Sequence, residues 1–181
     1  MVTFVFTDIE GSTRLLRQLG GEYADMLETH NELIAAAFTG AGGVLFGSQG
    51  DALFAAFPDP VGAVEGGLEA QRALRSHHWV GHEVRVRMGI HTGEAVVRRS
   101  TYIGLDVHRV ARICSVARGG QVLVSAATAA ETMRALPDDA ELVDLGLHWL
   151  KDLPEPAHLF ELSHPDLARS ESSCLHSTTS P

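Results

Sequence analysis

Two acidic residues at the ends of apolar strands, Asp8 and Asp51, are the side chains of this sequence best placed to do chemistry. Asp8 lies in Phe6-Thr7-Asp8-Ile9-Glu10-Gly11-Ser12-Thr13, and Asp51 follows Gly50 and opens Ala52-Leu53-Phe54-Ala55-Ala56-Phe57. A bare carboxylate at the edge of an apolar strand is costly without a counter-charge. Two of them converging on one spot repel each other, and a divalent cation relieves both costs together. Gly11-Ser12-Thr13 begins a helix whose free backbone N–H groups lie beside the expected metals and suit an anion. Carboxylates, metals and an anion-binding helix start point to a nucleoside triphosphate site.

The elements that must position these residues are readable from hydrophobic period. Residues 2–6 form a buried strand, and residues 12–38 a long amphipathic helix closed by the stretch Gly40 to Gly43. Val44-Leu45-Phe46 and residues 52–57 pair as a hairpin with Gly47-Ser48-Gln49-Gly50 as its turn. Pro60 starts a second helix reaching about Arg75. Residues 84–90 alternate as a strand, with 94–98 as its antiparallel partner. A third helix spans about 106–117 with Asp106 at its N-terminus. Then follow a strand at 121–124, a short helix at 126–134, and strands at 141–145 and 158–162. The order implies an α+β fold: a ferredoxin-like βαββαβ core with an α/β C-terminal extension and an antiparallel central sheet. Residues 1–163 form one domain, and the Ser/Thr-rich stretch 164–181 reads as a disordered tail.

Bulk composition bounds the function. With 181 residues and 45% hydrophobic content the chain can bury a full core. A net charge of −9 argues against a nucleic-acid surface, which needs a basic stripe. Two cysteines, Cys114 and Cys174, cannot build a disulfide framework, so a cytoplasmic location is expected. No stretch reaches transmembrane length and no signal peptide precedes the first strand, so no direct membrane association is expected.

The motifs together resemble the class III adenylyl/guanylyl cyclase catalytic domain over about residues 2–163. Besides the two acidic segments, the resemblance rests on Met88-Gly89-Ile90-His91-Thr92-Gly93-Glu94, on Gly104-Leu105-Asp106-Val107-His108-Arg109-Val110-Ala111-Arg112-Ile113, and on Asp144-Leu145-Gly146 with Leu150-Lys151-Asp152-Leu153, all in family order. It implies that Asp8, the Ile9 carbonyl and Asp51 bind two divalent cations, Mg²⁺ or Mn²⁺. Gly11, Ser12, Thr13 and Lys151 would hold phosphates, and Arg112 would stabilise charge on the reacting phosphate. The implied activity is conversion of ATP or GTP to a 3′,5′-cyclic nucleotide and pyrophosphate, at sites shared across a head-to-tail homodimer.

Three positions depart from the family pattern. Gly47 and Thr101 occupy the base-reading positions, where ATP-using members carry Lys and Asp. His108 occupies the position of the ribose-orienting Asn. Discrimination between bases should be weak, because an absent contact rejects less than an unpaired buried group. The alternative is a degenerate cyclase domain that binds nucleotide and dimerises as a regulator with little turnover. His91 reads as a structural residue of a tight turn, Cys114 as a core or dimer contact, Trp149 as packing beneath the Lys151 loop, and His77, His78 and His82 as connector residues.

Overall fold

The computed structural model describes residues 1–98 and 101–167. Its strands are β1 (Val2–Ile9), β2 (Val44–Gln49), β3 (Ala52–Phe57), β4 (Val86–Gly93), β5 (Val96–Arg98), β6 (Thr101–Ile103), β7 (Val122–Ser125), β8 (Glu141–His148) and β9 (Ala157–Ser163). The helices are α1 (Ser12–Leu19), α2 (Tyr23–Gly40), α3 (Pro60–Ser76), α4 (Leu105–Val116) and α5 (Ala126–Thr132). Seven strands form one sheet in the order β2-β3-β1-β4-β7-β9-β8, antiparallel at every pairing except β4 with β7. β1 through β4 with their helices are the expected βαββαβ unit.

Strand alternation sorts side chains onto two faces. Val5 and Ile9 of β1, with Val86, Met88 and Ile90 of β4, join the cluster packed against α2 and α3. Phe4 and Phe6 point the other way, into a cluster with Val110 and Cys114 of α4. By the same parity Asp8, Arg87, Gly89 and His91 belong to the α4 face. Gly89 is what lets α4 approach so closely, since a Cβ there would sit 2.5 Å from the Cys114 nitrogen.

Four local expectations are corrected. The long helix breaks into α1 and α2 at a single 3₁₀ turn, Gly20–Glu22, where two consecutive glycines weaken it and Gly20 takes φ 54°. The hairpin ladder runs through Ser48↔Leu53 and Gln49↔Ala52, so the turn is only Gly50 and Asp51, with Gly50 at φ 61° and a register shift between Leu45 and Gly47. β5 pairs with β6 rather than with β4, whose two edges are already taken by β1 and β7. His91 lies within β4, not in a turn.

The expected tail divides. Residues 164–167 fold back on α3: Arg72 Nε donates to Asp166 Oδ2 (3.0 Å), Arg75 Nη1 donates to the Asp166 carbonyl (2.7 Å), and Leu167 is buried. The rest of that stretch, with Cys174, and the Arg99-Ser100 part of the loop before Thr101 lie outside the described residues.

Candidate active site

The β1–β3 register explains how Asp51 reaches the strand beside Asp8. Thr7 pairs with Leu53, so continuing the ladder sets Asp51 opposite Ile9. There Asp51 Oδ2 accepts a hydrogen bond from the Ile9 N–H at 2.8 Å. The Asp51 carboxylate is thus tied to the peptide group that follows Asp8. Asp8 pairs in register with Arg87 of β4 and forms an ion pair with its guanidinium. Arg87 Nε is buried and has no hydrogen-bond partner among the described residues.

Around this pair sit groups that sense the charge. Burial raises the Tyr23 hydroxyl pKa and the Asp51 charge raises it further, against a hydrogen bond with Ser12. His30 is fully buried on α2 and held below the ordinary imidazole range by burial, although Asn31 and the Asp51 charge oppose the shift. Gly11 takes φ 71° as the N-cap of α1, and Arg14 N–H is the first to bond back, to the Gly11 carbonyl at 2.8 Å. The Ser12 and Thr13 N–H groups therefore precede the helical ladder, the position at which a helix start can take an anion.

A second group gathers on α4 and the turn after β8. Arg112 Nη2 donates to Asp152 Oδ2 at 2.7 Å, which brings Arg112 beside the exposed Lys151. His108 is exposed one turn earlier on α4. Gly47 follows Phe46, whose ring meets Tyr102 at 4.9 Å, so the base-reading positions Gly47 and Thr101 flank one aromatic contact. The Trp149 expectation is corrected: it is 71% exposed and does not pack beneath the Lys151 loop. Cys114 is buried, and burial pushes its thiol up to about 12, so it is not a nucleophile.

Two sets of contacts result. Asp51 is bonded to Ile9 and Asp8 to Arg87 at the end of β1, whereas Arg112 is bonded to Asp152, the residue after Lys151. The polar contacts of Arg112 run to Asp152 and not to either acid of the first set. Sequence reasoning missed Arg87 and Asp152. The alternation of residues 84–90 already put Arg87 on the polar face of its strand, but only the β1–β4 register sets it against Asp8.

Oxygen donors of this kind suit a hard divalent cation. Among the described residues no group of three or more His, Cys, Asp or Glu could hold a metal. An ion here would rest on two carboxylates, backbone oxygen and ligand oxygens, which is the usual state of Mg²⁺. The Asp8–Asp51 arrangement fits that demand once Arg87 yields Asp8.

A sheet of this topology with two acids at the end of its first strand defines a class, and comparison with known proteins identifies it. Residues 1–144 match the adenylate and guanylate cyclase catalytic domain. The chain belongs to that family. An uncharacterized protein of Mycobacterium tuberculosis is 37% identical over 168 residues, covering 92% of this chain and 57% of that protein. This chain therefore spans little more than half the length of such curated relatives. A receptor-type adenylate cyclase of Trypanosoma congolense is 28% identical over 205 residues, covering 90% of this chain and 28% of that protein. Among solved structures, an adenylate cyclase of Trypanosoma brucei in its monomeric state superposes with a TM-score of 0.79 at 26% identity, covering 89% of this chain and 88% of that one. Among the described residues no helix is long and apolar enough to cross a membrane.

Proposed function

We propose that this chain is a nucleotidyl cyclase catalytic domain that converts ATP or GTP to a 3′,5′-cyclic nucleotide and pyrophosphate, at sites shared across a head-to-tail homodimer. The observation that carries the reading is the Asp51 carboxylate held on the Ile9 N–H, beside Asp8. Asp8, Asp51 and the Ile9 carbonyl hold two divalent cations, Mg²⁺ or Mn²⁺. Bound there, such ions would lower the pKa of the ribose 3′-hydroxyl and neutralise phosphate charge.

The remaining work is positioning and electrostatics. The Ser12 and Thr13 N–H groups, following Gly11, receive phosphate oxygens. Arg87 exchanges Asp8 for the polyphosphate as the site fills, so its cation is conserved within the site. The 3′-oxygen loses its proton to solvent and forms a bond to the α-phosphorus, while the bond from that phosphorus to the pyrophosphate oxygen breaks. Arg112, released from Asp152, bears on the charge developing at the α-phosphate, and Lys151 on the leaving pyrophosphate. His108 donates one hydrogen bond to the ribose. Within one chain Arg112 bonds Asp152 rather than either acid, and in this reading a second copy supplies it to the site.

A regulator that binds nucleotide with little turnover is the second reading, favoured by Gly47, Thr101 and His108 at the base and sugar positions. One assay separates the two. Purified protein is incubated with Mn²⁺ or Mg²⁺ and ATP or GTP in parallel, scoring cyclic nucleotide and pyrophosphate. Equimolar cyclic product and pyrophosphate, higher with Mn²⁺, supports the enzyme. Saturable nucleotide binding without product supports the regulator.

A further inference from the structure

We infer that His91 is a positioning residue of the reaction: through Asp106 it fixes the start of α4 and with it His108 and Arg112. The inference rests on the cyclase reading for its kinetic consequence, and on geometry alone for the placement of the helix.

His91 is only 3% exposed and bridges two elements. Its Nε2 lies 3.1 Å from Asp106 Oδ1, and its Nδ1 lies 2.8 Å from the Ser125 hydroxyl. Burial holds the imidazole below its ordinary pKa, against the bond and charge of Asp106, so the ring is neutral at neutral pH. A carboxylate only accepts, so Nε2–H donates to Asp106 and Nδ1 is left to accept from the Ser125 O–H. Ser125 Oγ in turn accepts from the Thr128 N–H as the N-cap of α5 (3.4 Å). The tautomer is thereby fixed from both sides.

Asp106 collects two more donors: the Glu94 N–H on Oδ2 at 2.8 Å and Arg109 Nη1 on Oδ1 at 3.0 Å. Its carboxylate lies directly over Gly93, where a Cβ would come within 2.3 Å of Oδ2. The backbone of β4 thus has a seat shaped for this side chain. Val107 and Val110 pack the helix on the sheet, but its start has no side-chain cap. Its N-cap is Gly104, with no side-chain capping bond, and Leu105 is exposed. Asp106 stands in the first turn, where its charge also suits the helix dipole. His108 and Arg112 follow on the same rigid element, so a rotation or slide at Asp106 is transmitted to both. Arg112 acts on charge that develops in the transition state, which makes turnover more sensitive than substrate binding.

The test uses the full chain and the variants His91→Leu and His91→Gln, with kcat and KM, thermal melting, and hydrogen exchange of the amides of residues 109–113. Gln keeps an N–H donor near the Nε2 position; Leu keeps none. The expected result for His91→Leu is a fall in kcat of about 10- to 100-fold with KM within about threefold, and faster exchange in α4 but not in α3. His91→Gln recovers most of both. Wild-type kcat with unchanged α4 exchange in His91→Leu would overturn the inference. So would equal losses in both variants with exchange raised throughout the chain, since that is a general loss of fold. If the wild-type chain makes no cyclic product, the cyclase reading fails, and the α4 exchange comparison still decides whether His91 fixes the helix.

Discussion

The Asp51 carboxylate accepts the Ile9 N–H at 2.8 Å, so one of the two expected metal-binding carboxylates is anchored to the backbone next to the other. Asp51→Asn keeps an acceptor for that N–H but loses the charge. It should melt like the wild type while cyclic product falls at least about 100-fold. Asp51→Ala also loses the bond and should be less stable by about 1–2 kcal/mol, read from denaturant midpoints. Equal activity in the Asn variant and the wild type would remove Asp51 from the chemistry.

Arg112 and Asp152 form an exposed ion pair at 2.7 Å. Pairs of this kind contribute about 0–1 kcal/mol, so Arg112→Ala should leave the melting temperature nearly unchanged. Its kcat should fall about 100- to 1000-fold, as expected for removal of a group that meets transition-state charge. Mixing Arg112→Ala with Asp51→Ala should restore product, because a heterodimer contains one site built from two intact halves. A silent mixture of two variants that still dimerise would contradict shared sites.

Gly89 sits under α4 with no room for a side chain, the Val110 carbonyl being 2.9 Å and the Cys114 nitrogen 2.5 Å from a built Cβ. Both are backbone atoms and cannot swing aside. Gly89→Ala should cost about 1–3 kcal/mol, and the resulting shift of α4 should lower kcat as well. An unchanged denaturant midpoint would show that the helix seat is softer than the geometry implies.

Stability should fall on acidification. His30 and His91 are held neutral by burial, below the ordinary value of 6.5, with Arg109 adding to the shift at His91 and Asp106 opposing it. As pH falls through that range the unfolded chain takes up more protons than the folded one, so stability rises with pH there. This penalty is absent above the unfolded histidine pKa and grows below it. Asp106 acts in the same direction at lower pH: burial pushes it up, but the Glu94 N–H, His91 and Arg109 outweigh burial and leave it below 3.8. Its contribution is present above that value and is lost as pH falls through the lower folded one. Denaturant midpoints should drop steadily from about pH 7 to about pH 5, with a shallower slope in His91→Gln. A flat profile would show that neither histidine is held neutral.

Much of this was legible from local pattern. β1, β3 and α3 carry apolar period strong enough to announce themselves, and Pro60 marks the α3 start, which the Asp59 side chain caps on the Val61 N–H at 3.1 Å. Asp8 and Asp51 were legible because each stands at the edge of an apolar run. What escaped depends on pairing between distant strands. The partner of β5 could not be read without knowing that β1 and β7 already flank β4. Arg87 needed the register that sets it beside Asp8, and the role of His91 needed the seat that Gly93 makes for Asp106. Trp149 looked like core by residue type alone, and burial is not a property of type.

Mn²⁺ binding followed by electron paramagnetic resonance decides whether Asp8 and Asp51 together hold divalent cations over a triphosphate. The titration is made with a non-cyclisable ATP analogue present, on the wild type, Asp8→Asn and Asp51→Asn. Saturable, nucleotide-dependent Mn²⁺ binding is expected in the wild type, lost or sharply weakened in each variant, with both variants folded. Undiminished Mn²⁺ binding in the two variants would contradict it.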